Sequence, residues 1–249
     1  MRFQDKGVLV VGGNSGIGLA AAQGFASEGA RVFLTGRDQK TIDAAVATMP
    51  GARGFRADVA DIDSLGPVHS EIREQCGKLD VLFVNAGIGT FAPVPDVTAE
   101  LWDQVHDINL RGCFFAVQKT LPLMGEGGSI VLTGSIGSVA ALPGNVTYAA
   151  AKAGLRAVMR ILAVELVGKG IRVNMVSPGP TETPLLYRNV GMDDSAVDGL
   201  RQTMIAGVPM KRMGTPEEVS NAILFLASHD ASFVTGTDLF VDGGCVELA

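Results

Sequence analysis

A serine, a tyrosine and a lysine stand at set distances in the sequence and could transfer a proton at a carbonyl group. Tyr148 and Lys152 are four positions apart in NVTYAAAK, so they share one face if this segment is helical. Ser135 comes 13 positions before Tyr148, in LTGSIGS. A tyrosine hydroxyl is a weak acid at neutral pH, and a nearby ammonium favours its ionised form. The three residue types therefore fit general acid–base catalysis with a hydrogen-bond donor to a developing oxyanion.

A glycine-rich turn after the first apolar run predicts a dinucleotide site. The stretch VGGNSGIGLA carries Gly12, Gly16 and Gly18 in the spacing G-x-x-x-G-x-G. Glycines let the backbone approach a pyrophosphate, and a following helix directs its N-terminal N–H groups at it. The alternative is a plain tight turn. A predicted strand before the turn and a predicted helix after it favour cofactor binding.

The end of the second predicted strand, FLTGRDQ, indicates which cofactor binds. An acid at this place would accept hydrogen bonds from free ribose hydroxyls and repel a 2′-phosphate. Gly36 removes that repulsion, and Arg37 follows with a guanidinium that suits a phosphate. We therefore expect NADP(H), with NAD(H) as the alternative. Asp38 complicates this expectation, because it could pair with Arg37 or cap the next helix.

Alternating apolar runs and helical patterns predict the scaffold that positions these residues. Strands are predicted at 7–11, 31–35, 53–57, 79–85, 128–134, 171–177 and 238–242, and helices at 16–28, 38–48, 61–76, 100–123, 148–168 and 215–228. The strands are nearly continuous apolar runs, which is typical of strands buried on both faces. The alternation predicts an α/β fold, a Rossmann-type doubly wound parallel sheet of about seven strands with helices on both faces.

The length of 249 residues suits one dinucleotide-binding and catalytic domain over 1–249. One long irregular segment, roughly 179–214, is rich in Pro, Gly, Met and Asp and also carries apolar residues. Long loops in compact α/β domains are often lids, so we expect a substrate lid here. The alternative is a surface insertion.

Composition and charge argue against several classes of protein. A net charge of −6 without a basic run disfavours nucleic acid and anionic membrane faces as partners. The three cysteines are far apart with no CxxC, and the three histidines lack ligand spacing, so we expect no metal site and a reducing compartment. The first residues lack the order of a signal peptide, and no apolar run has the length of a membrane span. We expect a cytoplasmic protein.

These motifs together resemble the short-chain dehydrogenase/reductase family. Ser135, Tyr148 and Lys152 match its catalytic signature in type and spacing. Further matches, spread over nearly the whole chain, are Asn85-Ala86-Gly87, the Asp58-Val59 pair, Asn109 in DINLRG, SPGPTET at 177–183 and GTDLFVDGG at 236–244. Val11 departs from the pattern, because a Thr usually precedes the first glycine and braces the turn.

The resemblance implies a role for each matched residue. Tyr148 would be the general acid and base, Ser135 would hydrogen-bond the carbonyl oxygen, and Lys152 would also hold the nicotinamide ribose. Asn109 would anchor a water that relays protons to Lys152, unless it is a buried Asn that braces a helix. The predicted cofactor-binding set is Gly12, Asn14, Ser15, Gly16, Ile17, Gly18, Arg37, Asp58, Val59, Asn85, Ala86, Gly87, Tyr148, Lys152, Pro178, Gly179, Thr181 and Thr183.

Asp58 would accept a hydrogen bond from the adenine amino group, with Val59 beside the ring. The alternative is a turn aspartate at the start of helix 61–76, for which Asp61 is the better cap. Thr181 and Thr183 would touch the nicotinamide amide and the phosphates.

The substrate pocket is predicted to be mainly apolar and adaptable. Its candidate residues are Ile136, Leu142, Asn145, Leu185 and Leu186. We expect a small or medium ketone or secondary alcohol as substrate. An NAD-dependent alcohol or sugar dehydrogenase and a 3-oxoacyl-carrier-protein reductase are alternatives, although the loop LMGEGGS is acidic where a carrier protein would need a basic face.

The same residues argue against two other classes of protein. A non-catalytic redox sensor or a methyltransferase of related fold would be expected to lack Tyr148 or Lys152, and this chain has both.

Helices 100–123 and 148–168 carry more apolar residues than one sheet face needs. Family members that the chain resembles pair such helices between subunits, so we expect a homotetramer.

Overall fold

The computed structural model describes residues 1–185 and 194–248, and a parallel sheet forms its centre. Strands β1 to β7 span Gly7–Val11, Arg31–Gly36, Arg53–Arg56, Val81–Val84, Ser129–Thr133, Arg172–Pro178 and Asp238–Val241. They pair in parallel in the order β3-β2-β1-β4-β5-β6-β7. The strand order reverses between β1 and β4, which is the doubly wound topology. The predicted fold class is confirmed.

Helices connect the strands, as parallel pairing requires. They are α1 (Gly16–Ser27), α2 (Gln39–Val46), α3 (Gly66–Cys76), α4 (Ala99–His106), α5 (Cys113–Thr120), α6 (Val146–Leu166), α7 (Asp194–Gly207) and α8 (Pro216–Ala227). None of the helices in the described residues combines the length and apolar character needed to cross a bilayer.

Three predicted elements differ from the structure. Helix 100–123 is interrupted by a π-helical segment, Asp107–Gly112, that joins α4 to α5. Helix α3 starts later than predicted because Asp61 lies in a turn, where its carboxylate accepts from the Asp63 N–H at 3.2 Å, so the expected cap at Asp61 is wrong. The segment 179–214 is not irregular throughout, since it contains α7.

Apolar layers on both faces of the sheet hold the strands in place. In β1, Leu9 and Val11 belong to the layer under α3, α5 and α6, whereas Val8 and Val10 belong to the layer under α1, α2 and α8. Successive side chains of a strand point to opposite faces, so both sets are buried. This explains why the strands read as continuous apolar runs.

Arg172, at the start of β6, fastens the end of α8 to the sheet. Its guanidinium donates to the carbonyl oxygens of Leu226 at 2.7 Å, Ser228 at 2.9 Å and Val234 at 3.2 Å. The last carbonyls of a helix lack partners within the helix and carry partial negative charge, which a guanidinium fork suits. Burial lowers the pKa of the Arg172 guanidinium from its ordinary value. The clamp positions the segment that leads into β7.

Candidate active site

The glycine turn between β1 and α1 lies at the carboxyl edge of the sheet and leaves no room for a β-carbon at Gly12 or Gly18. Gly12 and Gly16 adopt positive φ angles of 81° and 54°. A β-carbon at Gly12 would lie 2.8 Å from the Ala86 nitrogen, and one at Gly18 would overlap the Gly12 carbonyl oxygen. Glycine is required at these positions by conformation and by close approach of backbone to backbone.

Asn85, just after β4, ties the glycine turn to β5. Its Nδ2 donates to the Gly12 carbonyl oxygen at 2.9 Å, and its Oδ1 accepts from the Thr133 hydroxyl at 3.0 Å. On the other side the Gly12 N–H donates to the Thr35 hydroxyl at 3.3 Å. These bonds brace the turn although Val11 lacks the hydroxyl that the family pattern has at this position.

Lys152 is buried in α6, and its ammonium continues the same chain of hydrogen bonds. Nζ donates to the Thr133 carbonyl oxygen at 2.8 Å and lies 5.7 Å from the centroid of the Tyr148 ring. The two side chains share one face of the helix because they are four residues apart. Thr133 thus links the glycine turn to Lys152 through its two oxygen atoms.

Ser135 and Asn145 complete the cluster around Tyr148. A β-carbon at Gly137 would lie 3.1 Å from Asn145 Nδ2, 3.3 Å from Ser135 Oγ and 3.5 Å from Tyr148 Cε1, so the three side chains surround this glycine. Ser135 Oγ accepts from the Gly137 N–H at 3.0 Å, which leaves its own proton to donate. The hydroxyl of Ser138, by contrast, donates to the Ser135 carbonyl oxygen at 2.8 Å.

Asn109 lies in the π-helical segment and braces the loop after β4. Its Oδ1 accepts from the Ile88 N–H and its Nδ2 donates to the Ile88 carbonyl oxygen, both at 2.8 Å. A β-carbon at Gly87 would lie 3.2 Å from Asn109 Oδ1 and 3.8 Å from Lys152 Nζ, so the amide is a close neighbour of the lysine. The geometry is that of a brace, and the water relay stays a prediction.

Just after the end of β2, Asp38 caps α2. Its carboxylate accepts from the Thr41 N–H at 3.2 Å. Among the described residues no carboxylate lies within ion-pair distance of the Arg37 guanidinium, which is exposed. The sequence left open whether Asp38 pairs with Arg37 or caps the next helix, and in the structure it caps the helix.

Arg56 is a second guanidinium at this end that the sequence reasoning missed. It is the last residue of β3 and faces Gly36 in the register of the sheet, and its Nε donates to the Arg37 carbonyl oxygen at 3.2 Å. Its position at the carboxyl end of a strand that neighbours β2 could have identified Arg56 as a candidate from the sequence. Asp58, two residues later, accepts from the Ala60 N–H at 3.0 Å and shapes a turn, and the adjacent Val59 is buried.

The segment after β6 lies over the glycine turn. Thr183 carbons come within 3.5 Å of a β-carbon position at Gly16, and Leu185 comes within 3.6 Å of one at Gly89. Thr181 donates its hydroxyl to the Gly179 carbonyl oxygen at 2.9 Å. Glu182 accepts from Arg201 Nε of α7 at 2.7 Å, which ties the segment to that helix. Leu186 lies outside the described residues.

The loops that adjoin the cluster carry apolar residues. Leu142 and Leu185 are 49% and 38% exposed, and Ile136 is half-buried. Phe91, 42% exposed, was not predicted. Its neighbour Ala92 donates its N–H to the Gly144 carbonyl oxygen at 2.8 Å, which joins this loop to the segment before Tyr148.

Comparison with known proteins identifies the family. A family model described as enoyl-(acyl carrier protein) reductase matches residues 11–246. The chain is 38% identical to a 3-oxoacyl-acyl-carrier-protein reductase of Thermotoga maritima (99% of this chain, 100% of the relative) and 35% identical to a D-threitol dehydrogenase of Mycolicibacterium smegmatis (98% and 94%). A solved structure described as a short chain dehydrogenase/reductase family protein superposes with a TM-score of 0.83 at 38% identity and 98% coverage of each chain. The chain belongs to the short-chain dehydrogenase/reductase family of oxidoreductases.

Replacing Asn109 with alanine should lower the free energy of unfolding by about 1–3 kcal/mol, because the N–H and carbonyl of Ile88 lose their partners. Gln104→Ala removes an exposed amide from the neighbouring helix α4 and is the matched control. Thermal unfolding measures the effect, and an unchanged midpoint for Asn109→Ala would contradict the brace.

Proposed function

We propose that this oxidoreductase interconverts a ketone and a secondary alcohol by hydride transfer with NADP(H). The observation that carries the proposal is the convergence of Ser135, Tyr148 and Lys152 beside a glycine turn at one edge of a parallel sheet. Each of these side chains supports one part of the chemistry, and the turn supports binding of a dinucleotide.

The residues at the carboxyl edge fit a dinucleotide. The glycines at 12 and 18 let the turn pack closely against Ala86 and against its own backbone, and the turn leads into the N-terminus of α1, whose N–H groups suit a pyrophosphate. The other residues predicted to bind the cofactor lie at or after the ends of strands. They are Asn14, Ser15 and Ile17 in the turn, Asp58 and Val59 after β3, Asn85, Ala86 and Gly87 after β4, and Pro178, Gly179, Thr181 and Thr183 at and after the end of β6.

The reaction follows from the positions of three side chains. When bound, the reduced nicotinamide supplies the hydride that reaches the carbonyl carbon. Ser135 donates a hydrogen bond to the carbonyl oxygen, and Tyr148 gives that oxygen its hydroxyl proton as negative charge develops there. The Lys152 ammonium stabilises the tyrosinate that remains. In the oxidative direction Tyr148 accepts the proton from the alcohol.

The preference for NADP(H) rests on charge at the end of β2. Arg37 and Arg56 place two exposed guanidinium groups beside Gly36, and Asp38 is engaged in its helix cap. Guanidinium groups suit a phosphate, whereas an acid at this place would suit free ribose hydroxyls. NAD(H) is the alternative cofactor.

The substrate is proposed to be a small or medium ketone or alcohol. The exposed apolar residues Leu142, Leu185 and Phe91, in the loops that adjoin the cluster, favour an apolar group next to the reacting carbon, and the segment 179–214 would act as the lid. The Asn145 amide beside Ser135 offers one polar contact. A carrier-protein substrate, as the name of the Thermotoga maritima relative describes, is the second candidate, and a sugar or polyol alcohol is the third.

Replacing Tyr148 with phenylalanine should lower turnover by about a thousandfold or more while cofactor affinity stays within about twofold, because only the proton donor is lost. Steady-state reduction of an activated aryl ketone and calorimetric titration with NADPH measure the two quantities. Substantial turnover by Tyr148→Phe would contradict the acid assignment.

A pair of serine variants tests the second donor. Ser135→Ala should lose about a hundredfold or more in turnover of the same ketone, because the carbonyl oxygen loses a hydrogen bond. Ser138→Ala is the matched control and should keep turnover near that of the wild type, because the Ser138 hydroxyl donates to a backbone carbonyl oxygen instead. Equal losses in both variants would contradict the role of Ser135.

Replacing Arg37 with alanine should weaken NADPH binding by about tenfold to a hundredfold and leave NADH binding nearly unchanged, because only the former carries a 2′-phosphate. Arg31→Ala is the matched control, since Arg31 begins the same strand at the opposite edge of the sheet. Calorimetric titration with each cofactor gives the affinities. An equal loss for both cofactors would contradict the assignment.

We also propose a cytoplasmic homotetramer. The three cysteines are free and the Cys113 thiol is buried, with a pKa raised by that burial, which supports a reducing compartment. On the outer face of α6 and just beyond it, Ile161, Val164 and Val167 are 60%, 74% and 55% exposed, a stripe that a second copy of the chain would cover.

Sedimentation at micromolar concentration should give the mass of a tetramer for the wild type and a smaller mass for Val164→Glu, because an unpaired charge between subunits is costly to bury. Val94→Glu, at a similarly exposed position in the short 3₁₀ helix Val94–Asp96, is the control and should keep the wild-type mass. A monomeric wild type would contradict the assembly.

A further inference from the structure

The space beside Gly36 is filled by the side chain of Asn14. A β-carbon at position 36 would lie 2.5 Å from Asn14 Cγ, 2.7 Å from its Oδ1 and 2.8 Å from its Nδ2. Real β-carbons essentially never show such contacts. The φ angle of Gly36 is not among the positive ones, so the backbone itself would accept another residue. A side chain at position 36 would therefore require the Asn14 side chain to move, whereas the backbone conformation would accept one.

Hydrogen bonds hold the Asn14 amide in this position. Its Nδ2 donates to the Thr41 hydroxyl at 2.7 Å, and that hydroxyl in turn donates to the Asp38 carbonyl oxygen at 2.9 Å. Thr41 is fixed a second time, because its N–H donates to the Asp38 carboxylate. Asn14 could make room for a side chain at 36 only by breaking its bond to the start of α2.

We propose that Asn14 is a specificity-determining residue of the cofactor site, because it excludes a ribose-binding acid from position 36. The inference rests on the proposed use of NADP(H) and deepens it. With position 36 closed to an acid, the charge at this end of the site comes from Arg37 and Arg56, which suit a 2′-phosphate on the adenosine ribose.

The proposal predicts that aspartate at position 36 works only when Asn14 is shortened. All three contacts involve atoms beyond the β-carbon of Asn14, so Asn14→Ala removes them and keeps the backbone. Gly36→Asp alone should weaken NADPH binding by about tenfold or more and improve NADH binding by less than about twofold. Gly36→Asp with Asn14→Ala should bind NADH about tenfold more tightly than Gly36→Asp alone. Titration calorimetry with NADPH and NADH gives these affinities.

A second measurement tests the contact without any cofactor. In the ligand-free protein, Gly36→Ala should lower the midpoint of thermal unfolding in the wild-type background and have little effect in the Asn14→Ala background. Gly125→Ala is the matched control, because Gly125 lies before the amino end of β5, its φ is not positive and a β-carbon there would meet nothing within 4 Å. It should leave the midpoint unchanged in both backgrounds.

The two measurements separate the possible failures. The inference is overturned if Gly36→Asp alone improves NADH affinity as much as the double variant does. It is also overturned if Gly36→Ala lowers the midpoint of thermal unfolding equally in both backgrounds, because Asn14 then does not exclude a side chain from position 36. If the wild type binds NADH as tightly as NADPH, the proposed cofactor preference fails, and the unfolding comparison still decides whether the contact exists.

Discussion

One chain of hydrogen bonds joins the glycine turn to the buried lysine, and the geometry of the site depends on it. It runs from the Gly12 carbonyl through the Asn85 amide to the Thr133 hydroxyl, and from the Thr133 carbonyl to the Lys152 ammonium. The turn before α1, the ends of β4 and β5 and the helix α6 are thereby held in one arrangement. Buried polar groups of this kind are costly when a single partner is missing, so the chain leaves little freedom to any member.

The parallel sheet makes this chain possible. Parallel strands bring their carboxyl ends to one edge, so residues that follow β1, β2, β4, β5 and β6 meet although they are far apart in sequence. Apolar layers on both faces hold the strands in register and leave the edge as the place where polar groups gather. Hydrogen bonds from Arg172 to the end of α8 hold the connection into β7 in place.

At the end of β2, the space left by neighbouring side chains matters as much as the charge. The sequence shows that glycine and not an acid ends β2, but it does not show why position 36 has no side chain. The Asn14 amide, held by Thr41, occupies the volume that a side chain there would need. The proposed cofactor preference would therefore involve three segments, the glycine turn, the end of β2 and the start of α2.

Local patterns determined much of this protein. Continuous apolar runs predicted the strands, since burial on both faces admits no polar alternation, and the four-residue spacing of Tyr148 and Lys152 placed them on one helical face. Only the tertiary structure decided the π-helical break at 107–112, the engagement of Asn109 with Ile88, the position of Arg56 beside Gly36 and the contact of Asn14 with position 36. These features depend on contacts between segments distant in sequence, and such contacts are set by how the strands pair and how closely backbones approach, which no local spacing records.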